Sequence, residues 1–118
     1  MPKTIQLVED DPDILDILYY ILTDAGYEVQ RSQGDDAMQQ IQALPPDLVL
    51  LDHRLQTRWG SEICKQLKAS PVTKKTPVIM VSATMHLEET ARIAGADDFL
   101  KKPFDMDELL AVVARWLN

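Results

Sequence analysis

Short apolar runs alternate with amphipathic stretches along the whole chain. The runs at residues 5–8, 47–51 and 77–81 are almost continuously apolar, which is typical of parallel strands buried on both faces. Residues 27–30 and 97–100 are predicted to form two shorter strands. Apolar residues between these runs recur at helical spacing. The pattern predicts five strand–helix units, (βα)5, in an α/β domain whose parallel sheet is covered on both faces.

Local signals at the helix ends support this reading. Asp11 is placed to cap the first helix, and a second helix is predicted over residues 34–44. The final helix begins with Asp105 and Glu108 at the spacing of a capping box. Residues 85–94 form a helix with only a thin apolar stripe, which predicts a weakly anchored, movable element.

Composition narrows the possible functions. The chain has 118 residues, so residues 1–118 are expected to form one domain without an effector domain. Its formal net charge of −7 disfavours direct binding to nucleic acid or to an anionic membrane. Cys64 is the single cysteine, which excludes an internal disulfide and favours a cytoplasmic location. The chain either acts alone or belongs to a longer protein, and the sequence leaves both open.

Polar side chains follow four of the five predicted strands. Glu9 and Asp10 come after the first strand, Asp52 after the third, Ser82 after the fourth and Lys102 after the fifth. The carboxyl ends of parallel strands share one edge of the sheet, where ligands bind in open α/β sheets. Taken alone, each carboxylate is equally well explained as a cap or a solvated side chain, whereas Ser82 alone is more often a cap or turn residue and Lys102 alone a surface lysine. Their joint placement indicates a site.

The chemistry of this set points to a metal and a phosphoryl group. Three carboxylates at close range disfavour one another's ionised form, and a hard cation such as Mg²⁺ relieves this repulsion. With Glu9, Asp10 and Asp52 around Mg²⁺, Asp52 keeps an oxygen free to attack phosphorus. Lys102 can neutralise the transferring phosphoryl oxygens, and Ser82 can donate a hydrogen bond to them.

The chain resembles response-regulator receiver domains from Thr4 to Leu117. The matching segments, in order, are LVEDDP at residues 7–12, LLD at 50–52 with Gly60 eight residues after Asp52, VSA at 81–83 and KPF at 102–104. The resemblance implies the flavodoxin-like strand order 2-1-3-4-5. It also implies a phosphoacceptor switch of two-component signalling rather than an enzyme, beyond self-phosphorylation from small donors and autodephosphorylation.

The resemblance assigns roles to individual residues. It implies that Asp52 is the modified phosphoacceptor, Asp10 a direct Mg²⁺ ligand, Glu9 a group acting on the metal through water, and the Arg54 backbone carbonyl a further ligand. Lys102 would contact the phosphoryl group.

The resemblance also implies a conformational switch. Ser82 would be the switch hydroxyl, and Phe99 stands where the family has an aromatic rotamer switch. Because Phe99 lacks a hydroxyl, we expect it to favour the inward state. Pro103 would follow Lys102 through a cis peptide bond. Phosphorylation would draw Ser82 toward the phosphoryl oxygens and repack the face made by the fourth helix, fifth strand and fifth helix.

The implied partners follow from this role. The phosphoryl donor would be the phosphohistidine of a sensor histidine kinase or of a histidine phosphotransfer protein. The output would pass to an unknown protein, and a homodimer through the face of the fourth helix, fifth strand and fifth helix is possible.

Two departures from the family pattern lie in the loop after Asp52. Gln56 stands where the family usually has proline, and Trp59 stands where it has an aspartate before the glycine. Trp59 is expected to be an exposed aromatic that could anchor a partner. His53 should point away from Asp52, because successive side chains on a strand alternate.

Three alternatives stay open. A degenerate receiver would act only as an interaction module, which the complete residue set disfavours. A phosphohydrolase of the haloacid dehalogenase type would need a second aspartate at the position of Arg54. A flavin-binding relative of flavodoxin would be coloured when purified.

Overall fold

A computed structural model describes residues 2–118, in which five strands alternate with five helices. In chain order they are β1 (Thr4–Val8), α1 (Pro12–Asp24), β2 (Glu28–Ser32), α2 (Ala37–Ala43), β3 (Leu48–Asp52), α3 (Gly60–Ala69), β4 (Val78–Ser82), α4 (Leu87–Ala94), β5 (Asp98–Lys101) and α5 (Met106–Leu117). Among these residues, no helix is both long and apolar enough to cross a bilayer.

The strands form one parallel sheet in the order β2-β1-β3-β4-β5. The predicted architecture and strand order are therefore confirmed. In the register, Asp52 is paired with Val81, and Ser82 with Lys101. The carboxyl ends of the central strands are thus level, and the loops that follow them share one edge of the sheet.

The sheet separates two apolar layers. The α1–α5 layer packs helices α1 and α5 against one face through Ile5, Leu7, Leu18, Leu22, Leu48, Leu50, Ile79, Val81, Leu100, Leu109, Val112 and Val113. The α2–α4 layer packs α2, α3 and α4 against the other through Val8, Ala37, Ile41, Val49, Leu51, Ile63, Cys64, Leu67, Val78, Met80, Leu87, Ala91 and Ala94. Because helices cover both faces of the sheet, its strands carry apolar residues on both faces.

Most helix ends follow their sequence signals. The Asp11 carboxylate accepts the amides of Asp13 and Ile14 at the start of α1, and Asp105 and Glu108 form the predicted capping box of α5. The predicted second helix begins at residue 34, whereas α2 begins at Ala37. Residues 34–36 form a turn instead, because the Asp36 carboxylate accepts the Gln33 amide at 2.8 Å.

Helix α4 begins later than residue 85. His86 adopts a left-handed conformation, with φ of 61°, and its side chain makes no capping hydrogen bond. Only Leu87, Ala91 and Ala94 of α4 are buried. The thin apolar stripe is confirmed, and the uncapped start gives the helix little local support.

Candidate functional site

The ends of β1, β3 and β5 bring two carboxylates and an ammonium into contact. Lys102 Nζ lies 3.2 Å from Glu9 Oε1 and 3.7 Å from Asp52 Oδ1. The Lys102 amide also donates to the Ser82 carbonyl at 2.9 Å, which extends the β4–β5 ladder and fixes the start of the lysine side chain. The Lys102–Pro103 peptide bond is cis, as the resemblance implied. Lys101, one residue earlier, is exposed.

Both carboxylates are buried. Glu9 is 4% exposed and Asp52 is 7% exposed. Burial, followed by the negative charge of Glu9, raises the pKa of Asp52 from 3.8 to about 7. The Lys102 ammonium and the Arg54 amide, which donates to Asp52 Oδ1 at 3.4 Å, act in the opposite direction. One lysine therefore does not fully offset the two buried negative charges.

Asp10 is turned toward the neighbouring loops. Its Oδ1 accepts the Gly34 amide at 2.9 Å, and its Oδ2 accepts the Gln56 amide. These donors come from the β2–α2 loop and the β3–α3 loop, so one carboxylate ties the two loops together. Neither donor was anticipated from the sequence, because a backbone amide leaves no residue-type signal.

Ser82 is held by its own turn. It is 2% exposed, its Oγ lies 2.7 Å from Thr84 Oγ1, and it accepts the Thr84 amide at 3.1 Å. Sequence reasoning missed Thr84, although a hydroxyl two residues after Ser82 is a recognisable local turn signal.

The expectation that Phe99 favours the inward state is wrong for this structure. Its side chain is 36% exposed, in a shallow groove between α4 and β5. The cause is its position on β5, an edge strand of the sheet. The groove beside it is lined by Glu88, Ala91 and Arg92 of α4 and by Gly95 and Ala96 after the helix, and these residues do not close over the aromatic ring.

The loop after Asp52 folds back tightly at Gly60. A Cβ at Gly60 would overlap the Asp52 carbonyl oxygen and lie 2.7 Å from His53 Cα, so no other residue fits without a backbone shift. His53 accepts the Ser61 amide on Nδ1 at 3.3 Å and packs against the ring of Trp59, with centroids 5.1 Å apart. Burial lowers the pKa of His53, and the Arg54 charge lowers it further. Trp59 is 50% exposed, as expected.

The residues present fit a magnesium ion. A cleft of about 410 Å³ lies at this edge, lined by Glu9, Asp10, Asp11, Pro12, Ile14, Asp52, Arg54, Gln56 and Lys102. Its donors are hard carboxylate oxygens, and the incompletely offset charge of Asp52 and Glu9 would be relieved by a divalent cation. Within residues 2–118 no three acidic, His or Cys side chains are assembled as a metal cluster. Mg²⁺ commonly binds through only one or two carboxylates together with water.

Comparison with known proteins identifies the family. The sequence profile of the response regulator receiver domain matches residues 5–114. The chain is 38% identical over 121 residues to the phosphate regulon transcriptional regulatory protein PhoB of Rhizobium meliloti, covering 100% of the chain and 53% of that protein. It is 37% identical to the DNA-binding dual master transcriptional regulator RpaA of Synechocystis, covering 100% of the chain and 50% of that protein. The chain thus spans about half the length of these relatives.

Solved structures agree with this. A putative response regulator from Chloroflexus aurantiacus is 36% identical with a TM-score of 0.92, over 99% of this chain and 98% of that one. The receiver domain of the sensor histidine kinase PA1611 from Pseudomonas aeruginosa, which has a magnesium ion coordinated in its active-site cleft, is 28% identical with a TM-score of 0.91, over 99% and 98% of the two chains. With its fold, its strand-end residues and these relatives all in agreement, the chain belongs to the response-regulator receiver family of two-component signalling.

Proposed function

We propose that Asp52 is the residue that accepts the phosphoryl group in this phosphoacceptor switch. The observation that carries the proposal is a contact between side chains from three different strand ends. Lys102 Nζ lies 3.2 Å from Glu9 Oε1 and 3.7 Å from Asp52 Oδ1. A carboxylate is an established type of nucleophile in phosphoryl transfer. The Arg54 amide on Oδ1 orients the Asp52 carboxylate.

The surrounding groups supply positioning and charge. Lys102, which contacts Oδ1 of Asp52, would neutralise charge on the phosphoryl oxygens. Ser82 is buried within the same sheet edge and would donate to a phosphoryl oxygen after leaving Thr84. Phosphorylation would thereby bias Phe99 and α4 toward a second packing, as a population shift.

Mg²⁺ is the proposed cofactor. Asp10 and Asp52 would hold it directly, Glu9 would act through water, and the Arg54 carbonyl would complete the protein ligands. When bound, the ion supplies charge neutralisation for the attacking and transferring oxygens. The support from this chain is the cluster of oxygen donors with too little compensating positive charge.

The phosphoryl donor is proposed to be the phosphohistidine of a sensor histidine kinase or histidine phosphotransfer protein. An apolar groove of about 460 Å³ between α1 and the start of α5 begins at Lys102 and includes Ile17 and Met106, which are 57% and 54% exposed. A helical partner seated there would place its histidine near Asp52. A cytoplasmic location fits this exchange and the buried free thiol of Cys64.

The output is proposed to pass through the surface of α4, β5 and α5. Exposed apolar side chains on it include Ile93 at 62%, Phe99 at 36% and Trp116 at 37%. This surface could contact an output protein or a second copy of the chain.

The test is intact-mass spectrometry after incubation with acetyl phosphate, with and without Mg²⁺. One added phosphoryl group is expected in the wild type, only with Mg²⁺, and none in Asp52→Asn. Ser61→Ala, near the site but outside the acidic cluster, is the matched control and should still be modified. An adduct that forms in the wild type and also in Asp52→Asn would refute the assignment.

A second function, an interaction module that works without phosphorylation, is favoured by one observation. Trp59 presents 50% of its surface beside the site, where an aromatic anchor could bind a partner in either state. Complete absence of the adduct together with absence of Mg²⁺ binding would favour this alternative.

A further inference from the structure

Asp10, which is expected to bind a cation, is already engaged by backbone amides. Both of its carboxylate oxygens accept backbone amides, Gly34 on Oδ1 at 2.9 Å and Gln56 on Oδ2. The two loops that supply these amides also touch through Thr57 Oγ1, which donates to Asp35 Oδ1 at 2.6 Å. Asp10 is therefore the centre of a contact between the β2–α2 loop and the β3–α3 loop.

These contacts compete with metal binding. Mg²⁺ demands short, near-octahedral coordination, and hydrogen bonds to a charged carboxylate are among the stronger ones in proteins. An oxygen already directed at an amide must turn or share its lone pairs before it can bind the ion. The Gln56 amide lies on the β3–α3 loop, which also lines the cleft of the acidic residues.

We propose that the Gln56 backbone amide is a positioning group that holds Asp10 in a loop-bound state and lowers the affinity of the site for Mg²⁺. Binding of the ion releases this amide, so that metal occupancy loosens the β3–α3 loop against the β2–α2 loop. The inference rests on the proposed magnesium site. It adds that the Gln56 amide and the ion compete for the carboxylate of Asp10.

The donor at position 56 can be removed separately from its side chain. Proline has no N–H, so Gln56→Pro deletes the hydrogen bond to Asp10, whereas Gln56→Ala deletes the side chain and keeps the amide. Gly34 does not offer such a clean test, because a Cβ there would lie 3.2 Å from Leu55 Cβ. The net worth of one hydrogen bond to a charged group corresponds to a change in dissociation constant of about tenfold.

The experiment is a calorimetric titration of wild type, Gln56→Pro and Gln56→Ala with MgCl₂, with thermal unfolding of each variant in EDTA. Gln56→Pro should bind Mg²⁺ about tenfold more tightly than wild type, and Gln56→Ala should match wild type. Equal or weaker binding by Gln56→Pro, with wild type binding measurably, would overturn the inference and leave the magnesium site intact. Absence of binding in all three proteins would overturn the magnesium site itself.

A measurement on the wild type covers the case in which Gln56→Pro does not fold. Hydrogen exchange of the Gln56 amide should accelerate as Mg²⁺ is added. The Asp47 amide, which donates to the Thr4 carbonyl outside the site, should keep its rate. A Gln56 amide that stays protected at saturating Mg²⁺ contradicts the release of the loop.

Discussion

Replacing Asp52 by asparagine should stabilise the protein at about pH 8 in the absence of divalent cations. Asparagine has nearly the same shape as aspartate but carries no charge. The substitution removes one of two buried negative charges that share Lys102. The expected sign is opposite to that of most substitutions at buried positions, which destabilise.

The magnitude follows from the pKa of Asp52, which is raised from 3.8 to about 7. A pKa difference of roughly three units corresponds to an upper limit of about 4 kcal/mol lost on ionising the folded protein. Because the variant leaves Lys102 with a weaker partner, the free energy of unfolding is expected to rise by a net amount of about 1–3 kcal/mol.

The raised pKa of Asp52 also determines how the stability of the wild type changes with pH. The pKa is higher in the folded state than in the unfolded state, so the folded protein holds the extra proton between about pH 4 and pH 7. Wild-type stability should therefore fall as pH rises through this window and level off above it. The advantage of Asp52→Asn should be near zero at about pH 4 and complete at about pH 8.

Urea unfolding followed by circular dichroism, in EDTA, measures this difference across the window. Asp16→Asn is the control. Asp16 is largely exposed and pairs with Arg31 on the surface, so its replacement should change stability by less than about 1 kcal/mol at every pH. Mg²⁺ at ten times its dissociation constant should stabilise wild type by about 1.4 kcal/mol and leave Asp52→Asn nearly unchanged. An Asp52→Asn protein that is less stable than wild type at about pH 8 in EDTA would refute the reasoning.

Four further predictions concern other residues. Lys102→Met should slow modification by acetyl phosphate at least about tenfold, measured by intact mass over time, because charge stabilisation of the phosphoryl oxygens is lost; a wild-type rate contradicts the role. Gly60→Ala should destabilise by about 3 kcal/mol or more in urea unfolding, because its Cβ would overlap the Asp52 carbonyl; a loss under about 1 kcal/mol refutes the packing argument. Cys64 should react with a thiol reagent only on unfolding, since burial raises its pKa to about 11; rapid reaction of the native protein would contradict this. His86→Gly should stabilise by about 1 kcal/mol in thermal unfolding, because glycine adopts positive φ without strain; a clear loss would show that the histidine side chain stabilises the turn.

The sequence predicted the fold well because the sheet is buried on both faces. Continuous apolar runs at β3 and β4 are unambiguous when every strand residue is covered. The boundaries of α2 and α4 were less predictable. They depend on Asp36 accepting a backbone amide and on His86 adopting a left-handed conformation, and neither is determined by hydrophobic periodicity.

Some features of the candidate site were likewise predictable from the sequence, and others were not. The convergence of Glu9, Asp52 and Lys102 followed from strand ends sharing one edge. The orientation of Asp10 did not, because it depends on amides of loops 24 and 46 residues away in sequence. The exposure of Phe99 depends on how α4 packs beside β5, a property of packing between elements rather than of the strand itself.

The two apolar layers have a consequence for how such a protein can diversify. No residue of the α1–α5 layer belongs to the α2–α4 layer, and the sheet backbone lies between them. The groove proposed for the phosphoryl donor is built on the first layer, whereas helix α4 belongs to the second. Substitutions on opposite sides should therefore add in free energy to within about 0.5 kcal/mol. Duplicated copies of such a gene can then change the donor groove without disturbing the packing of α4, because these two features lie on separate sides of the sheet.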